Sequence, residues 1–76
     1  DATEPAIYPN PFGDHLTLSA PERVSRIEIF GADGRLLLKQ DRPGTTVDTH
    51  TLPAGVYLIR LTLNANSHRT LRGLKH

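Results

Sequence analysis

The chain has 76 residues, with nine Lys and Arg against eight Asp and Glu for a net charge of +1, a balance that excludes nucleic acid and anionic membrane as default partners. It has no cysteine, so neither a disulfide nor a cysteine-ligated zinc can staple it, and a chain this short is one domain whose sheet must supply most of its stability. No apolar run approaches the ~18 residues that span a bilayer, no signal peptide opens the chain, and a start at Asp1 points to a piece of a longer protein.

Residues 1–5 carry two acids, a proline and no apolar periodicity, and read as a linker to whatever precedes them. Ala6, Ile7 and Tyr8 form a short extended segment. The following Pro9-Asn10-Pro11-Phe12-Gly13 must lie at a sheet edge or cross between sheets, because two prolines at alternate positions delete two backbone donors. Phe12 is the expected plug that fixes this crossing to the core. Next, His15 to Ser19 alternates with Leu16 and Leu18 inward. From Val24 to Phe30 the inward pair is Ile27 and Ile29, and Gly31-Ala32-Asp33-Gly34 predicts a hairpin with Asp-Gly at its centre. The return strand, Arg35 to Gln40, leaves two phases open: Leu37 alone inward, or Leu36 and Leu38.

Asp41-Arg42-Pro43-Gly44 is a turn, and Thr45 to Asp48 a brief β-branched strand. Pro53, Ala54 and Gly55 then make a compact turn in which glycine supplies a positive φ. The strand it launches, through Leu63, is the centre of the fold. Its Tyr57, Ile59, Leu61 and Leu63 share one face, while Val56, Leu58, Arg60 and Thr62 on the other turn polar only in the second half. That pattern predicts a strand covered on both faces where it starts and solvated on one where it ends. Asn64 to Ser67 closes a hairpin onto a basic last strand, His68 to Lys75, whose Leu71 and Leu74 sit three apart and so share no face without a bulge. No helical periodicity survives, and the whole reads as an all-β, small antiparallel immunoglobulin-like β-sandwich of about seven strands.

Chemistry is sparse. Histidines 15, 50, 68 and 76 lack ligand spacing, no nucleophile elbow is present, and Asp33-Gly34 lacks the alternating acids of a calcium loop. No metal, cofactor or catalytic activity is expected. The basic last strand reads either as a solvated edge or as a docking strip.

Tyr8-Pro9-Asn10-Pro11-Phe12, Ile27-Glu28-Ile29-Phe30 with Gly34-Arg35-Leu36-Leu37, Leu52-Pro53-Ala54-Gly55-Val56-Tyr57, and the closing Thr70-Leu71-Arg72-Gly73-Leu74-Lys75 together resemble the type A C-terminal sorting domain of type IX secretion cargo. The resemblance covers residues 7–75. It implies residues 1–6 as linker to a cargo protein and 7–76 as sorting domain. It also implies an origin in Bacteroidetes and passage of the cargo through the periplasm and across the outer membrane to the cell surface or extracellular space. The implied partners are shuttle proteins and an outer-membrane translocon, with removal of the domain by a sortase-like cell-surface peptidase. By position, the family's Pro-x-Pro falls on Pro9 and Pro11, flanking Asn10, its Gly-x-Tyr on Gly55 and Tyr57, and its terminal basic pair on Arg72 and Lys75. Gly73 stands where an aliphatic residue is usual and is expected to loosen the last strand, which invites exchange between copies at that edge. Removing Arg72 to His76 is expected to leave closed a core of Leu16, Leu18, Ile27, Ile29, Tyr57, Ile59 and Leu61. The alternative function is an immunoglobulin-like accessory module that binds protein or carbohydrate and is never removed.

Overall fold

The computed structural model describes residues 6–8, 12–64 and 67–76. Among them, apolar alternation lays down β1 (Ile7–Tyr8), β2 (His15–Leu18), β3 (Arg26–Gly31), β4 (Leu36–Asp41), β5 (Thr46–Asp48), β6 (Gly55–Asn64) and β7 (Ser67–Lys75), with a 3-10 turn at Pro21–Arg23. One sheet has the order β1-β2-β5 and the other β4-β3-β6-β7, all pairs antiparallel. The chain changes sheets between β2 and β3, between β4 and β5, and between β5 and β6. This is the connectivity of an immunoglobulin-like sandwich.

The core lies between the sheets. Leu16, Leu18 and Val47 come from the three-stranded sheet and Ile27, Ile29, Tyr57, Ile59 and Leu61 from the four-stranded one, while Phe12, Val24 and Leu52 close the ends. Each such side chain taken from water contributes about 1.5–3 kcal/mol. All seven core residues expected from alternation are buried, and Phe12 is fully buried as the expected plug.

Three expectations need correction. The start of β6 is not covered on both faces: Val56 and Leu58 are 41% and 42% exposed, whereas Arg60 and Thr62 at the other end are half-buried. No third layer lies over the outer face among the described residues, so an apolar side chain there stays open. Arg60, by contrast, is covered laterally, because its guanidinium donates to Glu28 Oε1 from Nε and Nη2 at 3.0 and 2.8 Å and lies 5.6 Å from the Phe30 ring centre.

The β3–β4 turn is centred one residue earlier than Asp-Gly. Ala32 and Asp33 keep negative φ at its corner, the Gly34 N–H donates to the Gly31 carbonyl at 2.9 Å, and Gly34 takes φ +87°. This is a type I turn followed by a left-handed glycine. In β4 neither proposed phase holds. The register shifts between Ile29, opposite Leu38, and Phe30, opposite Leu36. The bulge makes Leu37 the extra residue, turning Leu38 toward the core and leaving Leu36 and Leu37 exposed.

Candidate functional site

Features distant in sequence meet at one corner of the sandwich. Gly55 opens β6 directly opposite Lys75 at the end of β7, Tyr57 pairs with Gly73, and Phe12 forms a parallel bridge to Lys75. Two backbone bonds make that bridge: the Phe12 N–H donates to the Leu74 carbonyl at 2.8 Å and the His76 N–H donates to the Phe12 carbonyl at 3.1 Å. Pro9, Asn10 and Pro11 lie outside the described residues. Their flanks belong to different sheets, β1 to the first and Phe12 to the edge of the second, as a crossing segment requires.

The turn before β6 is tied down from two sides. The Tyr57 hydroxyl donates to the Pro53 carbonyl, and Lys75 Nζ donates to the Leu52 carbonyl at 2.6 Å. A hydrogen bond from a charged donor is worth about 1.5–3 kcal/mol, and it is what lets a lysine lie with only 7% of its surface exposed. Gly55 has φ +155° and an added Cβ would meet nothing within 4 Å, so its glycine is demanded by backbone conformation alone.

Period two in β7 decides which residues are displayed. Leu71, Gly73 and Lys75 turn toward the core, while Arg72 and Leu74 face outward. Arg72 and Lys75, grouped by sequence as one basic strip, are three apart and therefore stand on opposite faces, and only Arg72 is exposed. The parity that separates Leu71 from Leu74 separates this pair too, and was the signal available in the sequence.

Gly73 does not loosen the strand. It is buried in β7, and a Cβ added there would come within 2.8 Å of Ile59 Cδ1 and 2.9 Å of Phe12 Cε1. The missing side chain is the space that the Phe12 ring fills, at 6.4 Å and 48° from the Tyr57 ring. Removing Arg72 to His76 would take away the floor under Phe12, the bridge to it and the tie on Leu52, so the tail is part of the core rather than an appendage.

Above the corner, on the outer face, lies what sequence reading missed. Val56 stands opposite Leu74, Leu58 opposite Arg72 and Phe30, and Phe30 opposite Leu36. Val56, Leu58, Leu74 and Leu36 are all more than two-fifths exposed and form an apolar patch edged by Arg72. Val56 and Leu58 read from sequence as buried, so only the number of layers reveals the patch.

Elsewhere the surface is made of ordinary polar pairs. Asp41 is held below the usual carboxylate range by the hydrogen bond and charge of Arg26, 2.7 Å away, and Asp48 by the backbone N–H and ring of His50, at 3.0 and 2.7 Å. His15, His50, His68 and His76 are all exposed. Among the described residues no three His, Cys, Asp or Glu side chains gather as metal ligands.

A family model described as the secretion system C-terminal sorting domain matches residues 6–71 of the chain. The match takes in the turn before β6, Gly55 and Tyr57, and stops ahead of Arg72 and Lys75. No curated protein matches the chain.

Proposed function

Because the chain belongs to the family of secretion system C-terminal sorting domains, we propose that it is the export signal of an attached upstream cargo protein, read by type IX machinery at Val56, Leu58, Arg72 and Leu74. The observation that carries this reading is the uncovered apolar patch on the outer ends of β6 and β7. A receptor that serves cargos of unrelated fold must read what their sorting domains share. A patch of this kind, raised on a corner braced by Phe12, Tyr57 and Lys75, offers such a common surface. Exposed Arg72 at the edge of the patch favours a protein partner with an apolar centre and an acidic border.

In this reading Gly55, Tyr57 and Lys75 shape the signal and Arg72 is touched by the receptor, with Pro9, Asn10 and Pro11 completing it. Shuttle proteins and an outer-membrane translocon are the partners. A sortase-like peptidase removes the domain by cutting at or before the linker of residues 1–6, leaving mature cargo at the cell surface or in the extracellular space. Among the described residues the chain is tied down from Ala6, which bonds Ser19 through its N–H and its carbonyl, and strand pairing begins at Ile7, whereas a peptidase needs extended, accessible backbone.

The test is a reporter protein fused ahead of the chain and expressed in a Bacteroidetes host that has the secretion system. The unaltered fusion reaches the medium or the surface with its C-terminus before Ile7. Leu58→Asp combined with Arg72→Glu holds the reporter in the periplasm while the isolated chain unfolds at an unchanged temperature. Normal export of that variant would refute the docking surface, and a mature reporter that still carries residues 15–70 would refute removal.

A further inference from the structure

We infer that the open edge of β7 over Ser67–Leu71 takes an extended acidic segment of a partner protein as a fifth strand of the four-stranded sheet. That this partner is the export machinery rests on the sorting reading above; the pairing itself does not.

The hydrogen bonds already made show which backbone groups point outward. β7 stands last in the order β4-β3-β6-β7, with β6 on one side and no strand on the other among the described residues. At its end the Leu74 carbonyl and the His76 N–H both turn away from β6 to bond Phe12. The N–H and carbonyl of one strand residue point to the same side, and that side alternates along the strand. The register with β6 is unbroken from Lys75 back to His68. Thr70 and His68 therefore turn their N–H and carbonyl groups to the same open side as Leu74, and none of these four groups has a partner among the described residues. Phe12, paired in parallel with Lys75, is this same edge accepting an added segment at its far end.

The other edges of the two sheets are less open to addition. β1 and β5 are two and three residues long, and β4 carries the bulge at Leu37. β7 runs for nine residues and is guarded mainly by charge, with Arg69 and Arg72 and no acid. That guard selects the occupant. Two β7 strands side by side bring together only positive charge, which sets a second copy aside, whereas an acidic strand finds opposite charge along the same edge. Exposed His68, Thr70 and Arg72 lie on the outer face, in line with Leu74 of the apolar patch. An added strand therefore continues the surface that the receptor touches, with main-chain bonds for affinity and acidic side chains for selectivity.

Amide exchange of the 76-residue chain tests the pairing. The probe is a synthetic peptide alternating glutamate and valine, and the control is its lysine and valine counterpart. At millimolar acidic peptide the His68 and Thr70 amides are expected to exchange at least ~10-fold more slowly, while Lys39 on the opposite edge is unchanged and the basic peptide has no effect. Thr70→Pro removes a donor that β6 does not use, so it keeps the unfolding temperature and loses the protection at His68; Thr70→Val keeps the donor and the protection. If the proline variant unfolds early, the unaltered chain and Thr70→Val decide the matter. His68 and Thr70 amides that the acidic peptide leaves unchanged, or that both peptides protect alike, overturn the proposal. So does a concentration-dependent dimer that protects those amides without peptide, which would make the occupant a second copy. Export of the reporter is scored separately: peptide protection together with normal export of Thr70→Pro leaves the pairing standing and refutes its assignment to the machinery.

Discussion

The two ends of the four-stranded sheet's outer face solve the same problem differently. At one end Arg26 pairs with Asp41 and Arg60 with Glu28, so each charge is answered by a neighbour on the next strand. At the other end Val56, Leu58, Leu74 and Leu36 face outward with nothing above them among the described residues. A polar residue on an uncovered sheet can be satisfied sideways; an apolar one can only be satisfied from above. The charged end is therefore complete in the isolated domain, and the apolar end is where a partner adds most.

The strongest way to break that contrast is from below. Phe12→Ala removes the ring that the apolar end rests on and is expected to cost about 3–5 kcal/mol, read as a lowered midpoint in denaturant unfolding, with no comparable loss from Glu28→Gln. Gly73→Ala follows, because its Cβ would overlap Ile59 and Phe12 and overpacking of this kind costs about 1–3 kcal/mol. Gly55→Ala meets no atom but must hold φ +155°, a backbone strain of about 1 kcal/mol, and thermal unfolding separates it from Gly73→Ala.

The smallest effect lies at the charged end and depends on pH. Asp41 and Asp48 have folded-state pKa values lowered by Arg26 and by His50. Their contribution is present above the ordinary carboxylate pKa of about 4 and is lost as pH falls below it through the folded value. Arg26, whose own pKa is raised, stays protonated throughout. Thermal unfolding followed downward from pH 5 to pH 2, roughly the span of carboxylate titration, is expected to lose less stability in Asp41→Asn than in the unaltered chain.

Alternation made the inner face legible because Leu16, Leu18, Ile27, Ile29, Ile59 and Leu61 need only a two-residue period to be assigned. What alternation cannot count is layers. Val56 and Leu58 carry the same side chains whether a second layer covers them or not, and so the exposed patch was read as buried. Bulges are equally silent in a uniform run, and Leu36-Leu37-Leu38 has no polar residue to reveal which leucine is the extra one. Lys75 was misplaced for a different reason: a lysine near the end of a chain suggests solvent, and only its parity with Leu71 and Gly73 contradicts that. Within the corner, Gly55, Tyr57 and Phe12 were readable from turn chemistry and aromatic size, whereas the need for Gly73 depends on a ring sixty-one positions earlier in the chain.

The bridge between Phe12 and Lys75 is parallel, unlike every strand pairing in the two sheets. Its two strands run the same way, so a pull applied at the cargo side of Phe12 and at His76 drags them past each other along their length. The bonds from Phe12 to Leu74 and from His76 to Phe12 then carry load together, in shear. The antiparallel hairpin of β6 and β7, pulled apart at one end, would part a pair at a time. Tension between cargo and tail thus reaches the Phe12–Lys75 bridge once the short β1–β2 pairing nearer the cargo has parted, and loads it in the direction in which that bridge is hardest to open.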